Sequence, residues 1–417
     1  MTPLDQPCAL LGGISPEDFM RHYWQKKPLL IRGAIPGFKA VLTRSALFAL
    51  AQRDEVESRL VVQSGPKNLA RSWTLRRGPF GRKSLPPLAQ KAWSLLVQGV
   101  NLYDAKAHDL MEKFSFIPRV RLDDLMISYA SDQGGVGPHF DSYDVFLLQA
   151  QGVRRWRIAQ DTDHTLVKGA ELKILARFKP EQEWDLEPGD MLYLPPSYAH
   201  EGVAKGECMT YSIGFKSPRG VALAQEVMAC MADCGEGPTA SSAFYTDPAQ
   251  TASVNSGEIP KALQNFAYQN YQRLALDERL FQRALGETLT EPKHHVWFQA
   301  SMQGDSSVCL ARLHQWVHHP SQAVLRLDRQ TQMLYDATQI FINAESVGAS
   351  GLEAKVLRRL ANERVLSSTR FAPFLALSAK PLSATERDKA ARLEQRLDDL
   401  LALLAQWMHS GWLHLGV

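Results

Sequence analysis

Residues 134–158 read GGVGPHFDSYDVFLLQAQGVRRWRI, and this stretch decides the fold that the sequence predicts. Three glycines and a proline form a loop that leads into an apolar strand, and a second strand follows the glycine at position 152. We predict that the chain turns tightly at Gly152 and that the two strands form a hairpin. His139 and Asp141 then lie at the start of the first strand.

Side chains two residues apart in a strand share a face of the sheet, so His139 and Asp141 point one way and Phe140 points the other. The same parity places Val145 and Leu147 beside the first pair, as expected for the inside of a small barrel. The two polar residues are therefore in a position to bind one metal ion together.

A second segment, residues 187–203, contains a candidate third ligand. A Pro-Gly-Asp turn opens a short apolar strand, two prolines end it, and His200 follows them. Two imidazoles and one carboxylate on one face of a metal leave the opposite positions open, which is how proteins hold non-haem Fe(II) for oxygen chemistry. A His-x-Asp tripeptide alone occurs by chance in roughly every second chain of this length, so the hypothesis depends on the surrounding pattern. The alternative is a structural hydrogen-bonded pair.

Arg154 shares a strand face with Trp156 and Ile158, whereas Arg155 and Arg157 point the other way. A guanidinium on an apolar inward face needs an anion, because an unpaired buried charge is very costly. A dicarboxylate cosubstrate would supply that anion. A structural ion pair with a carboxylate of the protein is the alternative.

Five segments carry a resemblance to a known family: His139-Phe-Asp141, Asp144-Val-Phe-Leu-Leu-Gln149, Arg154-Arg-Trp-Arg157, the stretch from Pro188-Gly-Asp190 to His200, and the early Tyr23-Trp-Gln-Lys-Lys-Pro-Leu-Leu-Ile-Arg32. With these segments the chain resembles the JmjC-type ribosomal oxygenases, specifically the bacterial arginine hydroxylases of that group. The resemblance spans nearly the whole chain.

The resemblance implies an α+β fold: a double-stranded β-helix core of the cupin and JmjC type with N-terminal α/β elements, a helical dimerisation region and a C-terminal winged-helix domain. It implies a dioxygenase that uses Fe(II), 2-oxoglutarate and O2, releases succinate and CO2, and hydroxylates an arginine side chain of the sixteenth large-subunit ribosomal protein.

Site residues carried over by position are His139, Asp141 and His200 as iron ligands, with no catalytic residue beyond the metal site. Arg154, with Ser128 on the preceding strand, would bind the distal carboxylate of 2-oxoglutarate. For Ser128 the alternative is a core hydroxyl bonded to the backbone.

Other functions share the same triad. Related JmjC enzymes hydroxylate histidine or oxidise methylated lysine, and only the substrate groove separates these activities. A regulator with a degenerate cupin core and a nucleic-acid-binding winged helix is a further alternative. Its presumed recognition helix, residues 351–364, mixes Glu with Arg and forms no strongly basic stripe, so we do not expect direct binding to nucleic acid.

The composition predicts a soluble intracellular enzyme. Lys and Arg number 47 against 44 Asp and Glu, and the net charge of +3 is too small for a general polyanion binder. Five cysteines without a Cys-x-x-Cys argue against a disulfide framework and against a zinc site. The sequence shows neither a signal peptide nor a segment of transmembrane length, so we expect a cytoplasmic location and no membrane partner.

Changes of pattern divide the chain into three regions. We predict a catalytic domain over residues 1–216, with its β-rich core from about 120 to 216. A helical region over 217–290 follows, in which 259–284 carries one amphipathic helix; the resemblance favours homodimerisation through this region. Residues 291–417 are predicted to form the winged-helix-like domain.

Overall fold

The computed structural model describes residues 3–160, 163–234, 260–275, 277–300, 305–319, 321–375 and 384–416. The chain divides into two units, Met1–Ser217 and Pro218–Val417. Within the described ranges, no helix has the combination of length and apolar character that crossing a membrane requires.

The first unit is mainly β-structure with three α-helices. Its elements are α1 (Pro16–His22), β1 (Leu29–Ile31), α2 (Arg44–Leu50), β2 (Ser58–Gln63), β3 (Trp73–Arg77), β4 (Trp93–Val97), α3 (Ala105–Glu112), β5 (Leu122–Ala130), β6 (His139–Phe140), β7 (Val145–Ala159), β8 (Gln182–Leu186), β9 (Met191–Leu194) and β10 (Ala199–Phe215).

Ten strands of this unit form one antiparallel sheet in the order β1-β9-β7-β10-β5-β4-β2-β3, with β6 paired to β10 and β8 to β7. The N-terminal elements thus contribute four strands, β1 to β4, to the same sheet. One face of the sheet packs on the N-terminal helices, where Phe19, Ile127 and Phe146 are fully buried. The opposite face lines a cavity.

The first helix begins at a capping pattern in the sequence, Ser15-Pro16. The hydroxyl oxygen of Ser15 accepts a hydrogen bond from the Asp18 N–H at 3.0 Å, and Pro16 occupies the first helical turn. Both features satisfy or remove N–H groups that would otherwise lack a partner at the helix start. Phe19 on this helix is then directed into the main core.

The predicted hairpin at Gly152 is wrong. Val145–Ala159 is a single strand that pairs with β10 along its length, and the pairing register shifts near Gly152. This glycine has a φ of +63° and bends the strand as a bulge instead of reversing it. A β-carbon at position 152 would lie 2.1 Å from the carbonyl oxygen of Glu207, so the close approach of β10 requires glycine there.

The second unit combines helices with two small sheets. Its elements are α4 (Gly220–Cys234), α5 (Lys261–Ala275), α6 (Glu278–Thr290), α7 (Ser306–His318), β11 (Val324–Leu327), β12 (Met333–Tyr335), β13 (Gln339–Ile342), β14 (Glu345–Gly348), α8 (Gly351–Glu363), β15 (Val365–Ser367), α9 (Ala372–Leu375), α10 (Ala384–His409) and β16 (Leu413–Gly416). The sheets have the orders β15-β11-β16 and β12-β13-β14.

The single helix predicted over residues 259–284 is wrong, because the structure has two helices there, α5 and α6. Asp277 caps the second one: its carboxylate accepts a hydrogen bond from the Leu280 N–H at 2.9 Å. Further along the chain, β12 and β13 form a hairpin that pairs Met333 with Ile342.

Candidate metal and cosubstrate site

Three residues come together at one point of the cavity wall. His139 on β6 and His200 at the start of β10 are directly paired across neighbouring strands, and their ring centroids lie 4.3 Å apart. Asp141 follows β6, and its Oδ2 is 3.6 Å from Nε2 of His200. One ligand atom from each residue lies within 4.8 Å of the others, a separation that one metal ion can bridge.

Backbone carbonyls orient both imidazoles. Nδ1 of His139 lies 2.9 Å from the carbonyl oxygen of Gly137, and Nδ1 of His200 lies 2.9 Å from that of Tyr198. A carbonyl only accepts, so each Nδ1 carries the proton and each Nε2 is left with a lone pair for a metal. Burial, and next the neighbouring imidazole of His139, lower the pKa of His200 to about 4. This ring is therefore neutral at neutral pH.

The glycine-rich loop before His139 is tightly enclosed. Gly137 has a φ of +82°, and a β-carbon there would lie 3.1 Å from the indole of Trp73 and 3.3 Å from Ile174. The indole N–H of Trp73 donates to the carbonyl of Lys67 at 2.9 Å. Packing from β3 and from the loop around residue 174 therefore determines where the carbonyl that orients His139 lies.

Arg154 projects into the same cavity and is 5% exposed. Its Nη1 donates to the hydroxyl of Ser128 at 3.2 Å, and its guanidinium carbon lies 5.8 Å from the ring centre of Trp156. Its Nε and Nη2 are buried without a hydrogen-bond partner in the part of the chain that the structure describes. The structural ion pair considered as an alternative is absent there as well. A buried guanidinium in this state has N–H groups with which an anion can pair.

The cavity that joins these groups has a volume of about 520 Å³. Apolar side chains from three strands, β4, β5 and β7, form much of its wall: Leu96, Met126, Val145, Leu147 and Trp156. The size and the mixture of apolar walls with a few polar groups are those of a small-molecule site.

A second polar group of residues, Arg59, Gln98, Asp124 and Tyr143, lines the cavity. Asp124 is 5% exposed, and its Oδ2 accepts a hydrogen bond from Nε2 of Gln98 at 3.0 Å. The Gln98 amide oxygen accepts from Arg59 at 3.0 Å. Burial raises the pKa of Tyr143, and the carboxylates of Asp141 and Asp124 raise it further. The hydroxyl of Tyr143 is therefore a neutral donor close to two carboxylates.

The structure brings all five predicted site residues to this one cavity: Ser128, His139, Asp141, Arg154 and His200. Sequence reasoning missed Trp73, Asp124 and Tyr143. Asp124 lines the cavity and Trp73 packs on Gly137 through strand pairings that are remote in sequence, so no local pattern indicated either residue. Tyr143 had a signal, because the parity that joins positions 139 and 141 extends to 143.

Two family models match the chain: a JmjC domain over residues 109–223 and a ROXA-like winged helix over residues 270–414. The ribosomal protein uL16 3-hydroxylase of Escherichia coli is 33% identical over 281 residues, which are 67% of this chain and 72% of that protein. A probable ribosomal oxygenase of Haemophilus influenzae is 29% identical over 423 aligned positions and covers 96% of each chain.

A solved structure of Escherichia coli YcfD, described as a ribosomal oxygenase in complex with cobalt and 2-oxoglutarate, superimposes with a TM-score of 0.73. It shares 27% sequence identity and covers 97% of this chain and 99% of that one. The two chains thus share one fold over almost their whole length.

The fold and the matched models define a JmjC protein of the cupin type with a C-terminal winged helix, which confirms the predicted fold class. More specifically, the chain belongs to the ribosomal oxygenase family, as its resemblance indicated.

Proposed function

We propose that this protein is an Fe(II)- and 2-oxoglutarate-dependent dioxygenase that hydroxylates an arginine side chain of ribosomal protein uL16. One observation carries the proposal: a three-ligand metal site and a buried guanidinium with unsatisfied N–H groups share one cavity. The name of the Escherichia coli relative and the cobalt and 2-oxoglutarate bound to YcfD support the same activity.

The donor set fits Fe(II). His139, Asp141 and His200 offer two neutral nitrogens and one carboxylate from one side, which is the arrangement that non-haem iron oxygenases use. When bound, Fe(II) with 2-oxoglutarate and O2 supplies the oxidation of a C–H bond, and the cosubstrate leaves as succinate and CO2. The protein's own part is to hold the three ligands in orientation through the carbonyls that bond each Nδ1–H.

Arg154 and Ser128 fit the distal carboxylate of 2-oxoglutarate. The guanidinium has Nε–H and Nη2–H groups to donate, and the Ser128 hydroxyl lies 3.2 Å from Nη1. Two parallel N–H groups from one guanidinium suit a carboxylate geometrically. Val145 and Leu147 contribute apolar surface to the same cavity.

The buried carboxylate of Asp124 and the neutral hydroxyl of Tyr143 support a cationic target side chain. A guanidinium has five N–H donors, which the Asp124 carboxylate and the oxygen of the Tyr143 hydroxyl can accept while that hydroxyl donates its own proton to a carboxylate. These contacts favour arginine as the target. Histidine and methylated lysine, which also enter JmjC sites in related enzymes, become alternative outcomes of the test below.

The test is mass spectrometry of ribosomal proteins from cells with and without this gene, followed by turnover of the purified protein with Fe(II), 2-oxoglutarate and uL16. We expect uL16 to be lighter by one oxygen atom in the deletion strain and the purified enzyme to restore that oxygen on one arginine. An oxygen on histidine would overturn the arginine assignment. Loss of a methyl group from lysine would assign a demethylase. An unchanged ribosomal mass profile would overturn the ribosomal substrate.

We also propose that the protein is a homodimer formed through the helices of residues 217–290, and that a separate winged-helix domain covers 291–417. The helices α4, α5 and α6 expose large apolar side chains: Val221 (75%), Met228 (52%), Tyr268 (59%), Tyr271 (59%) and Phe281 (45%). So much exposed apolar surface on one helical region is typical of an interface. Light scattering of the Tyr271→Asp variant is expected to give a monomer, with Trp297→Asp, at another exposed aromatic, as the control that stays dimeric.

The winged helix is proposed to have an architectural role without direct nucleic-acid binding. On α8, Nη2 of Arg358 donates to the carbonyl of Ala337 at 2.6 Å, and Arg359 pairs with Glu363 at 2.7 Å. These cations are engaged within the protein and are poorly available to phosphates. A ribosomal protein substrate makes the cytoplasm the proposed location.

A further inference from the structure

The sheet of the first unit ends at β3, whose outer edge has no pairing strand among the residues that the structure describes. The inner edge bonds to β2: the Gly78 N–H donates to the Ser58 carbonyl at 2.9 Å, and the Ser64 N–H donates to the Ser72 carbonyl at 2.8 Å. In an antiparallel pair, bonded and non-bonded positions alternate. Even-numbered residues of β3 therefore bond to β2, and odd-numbered residues direct their N–H and C=O groups outward.

At two of these outward positions, Leu75 and Arg77, the backbone N–H and C=O groups have no hydrogen-bond partner within the described part of the chain. The two residues are about 7 Å apart along the strand and present the alternating donors and acceptors that a further strand requires. Leu75 is half-buried and Arg77 is exposed, so a partner can approach.

This edge is continuous with the candidate active site. The side chains of Leu75 and Arg77 line the cavity that contains the metal ligands. Trp73, on the same strand, packs against Gly137, whose carbonyl orients His139. A chain laid along β3 therefore runs along the rim of the cavity, one strand spacing of about 4.8 Å from residues that form its wall.

We propose that the outer edge of β3 is the docking strip for the polypeptide that carries the target side chain. The substrate segment adds to the sheet as an extended strand, and alternate side chains of that strand point into the cavity. The inference rests on the proposed function and deepens it. Main-chain hydrogen bonds of this kind contribute affinity that does not depend on the sequence of the peptide. Selection of the target side chain is then the task of Asp124 and Tyr143.

Charge favours this occupant over a second copy of the chain. Self-pairing would bring Arg76 and Arg77 of two copies together across the new interface, and like charges on an edge strand oppose such pairing. A substrate segment has no such constraint. The arginines on this edge therefore oppose pairing with a second copy of the chain and still allow a different polypeptide to pair with β3.

The first experiment is a backbone N-methyl scan of a synthetic uL16 peptide that contains the hydroxylated arginine, measured as KM and kcat with the full-length enzyme, Fe(II) and 2-oxoglutarate. Methylation removes one N–H donor. We expect KM to rise roughly tenfold at alternate residues and to change less than about twofold at the residues between them, because a lost backbone hydrogen bond and a methyl clash act only where the N–H faces β3.

The second experiment changes the enzyme. Leu75→Pro removes an outward N–H without removing a bond to β2, and edge strands tolerate proline at such positions. Leu75→Ala removes the side chain and keeps the N–H. We expect the peptide KM of Leu75→Pro to exceed that of Leu75→Ala by about tenfold, while the KM for 2-oxoglutarate is the same in both. Equal peptide KM values would contradict the docking strip.

Amide hydrogen exchange of the Co(II)-loaded protein completes the test. The peptide is expected to slow exchange at residues 75 and 77 and to leave 74 and 76 unchanged. If the peptide is hydroxylated but its N-methyl variants show no alternation in KM, the docking strip is overturned and the proposed function is not. Protection of these amides that rises with protein concentration in the absence of peptide assigns the edge to a second copy and also overturns it. Failure of uL16 and its peptide to react overturns the proposed function, and the docking strip with it.

Discussion

Replacing Arg154 with Met separates a cosubstrate anchor from a structural arginine. The buried guanidinium has two N–H groups, at Nε and Nη2, that lack a protein partner in the described residues. A hydrogen bond to a charged group contributes about 1.5–3 kcal/mol, so two of them amount to about 3–6 kcal/mol for a bound carboxylate. At about 1.4 kcal/mol per factor of ten, the KM for 2-oxoglutarate should rise roughly 100- to 20,000-fold.

The assay measures that KM beside the affinity for Co(II), read from its absorption in the absence of 2-oxoglutarate. Arg154→Met should leave the metal affinity within about twofold of the wild type, since the three ligands remain. Ser128→Ala is the matched control on the same anchor. It removes one hydrogen bond from an uncharged donor to the carboxylate, about 1.5 kcal/mol, and should raise the same KM about tenfold.

Thermal stability supplies an independent readout. If Arg154 binds the cosubstrate, the ligand-free protein has a buried charge whose hydrogen bonds are incomplete. The ligand-free Arg154→Met protein should then be as stable as the wild type or more stable. If Arg154 instead supports the fold, the same substitution should destabilise the protein by several kcal/mol. A rise in KM below tenfold, an equal loss of metal affinity or a clear fall in stability would each refute the anchor.

Three further substitutions test other parts of the structure. Asp141→Ala should abolish Fe(II)-dependent turnover of 2-oxoglutarate and weaken Co(II) binding while the circular dichroism is unchanged, because one of three ligands is lost. Gly137→Ala should lower Co(II) affinity at least tenfold, since its β-carbon meets an indole 3.1 Å away; Gly169→Ala, with a φ of +80° but nothing within 4 Å, is the control that retains metal affinity. Gly286→Ala should destabilise the second unit by about 1–3 kcal/mol, measured by denaturation, because the new β-carbon would lie 2.3 Å from the Phe341 ring; metal affinity should not change.

The metal side of the site was predictable because its pattern is local. The spacing of His139 and Asp141 places both on one strand face whatever the rest of the chain does. The position of His200 followed from a turn and a strand stop nearby. What the sequence did not indicate is the direct pairing of His200 with His139 across β10 and β6, because register depends on strands that are distant in the chain.

The two errors have different physical causes. Gly152 was interpreted as a turn, but the reason for glycine there is the carbonyl of Glu207, more than fifty residues further along the chain. A short-range pattern registers the glycine without the long-range contact that assigns its role. The start of α6 depends instead on a local contact, because the side chain of Asp277 accepts a hydrogen bond from the Leu280 N–H, and the prediction of one helix overlooked this cap.

The bulge at Gly152 also decides which arginine enters the cavity. Before it, odd positions of β7 such as Val145 and Leu147 face the cavity; after it, even positions such as Arg154 and Trp156 do. An unbroken strand would continue the odd parity and turn Arg155 inward.

Arg155 lies instead on the outer face, where hydrogen bonds from it, and then from Lys205, lower the pKa of Asp185 to about 2. Arg155 pairs with a carboxylate of its own chain, whereas Arg154 has two N–H groups without a protein partner in the described residues, and we propose that these bind a carboxylate from outside. The bulge places the two arginines on opposite faces, so the glycine that led to the wrong hairpin prediction also positions the proposed anion anchor.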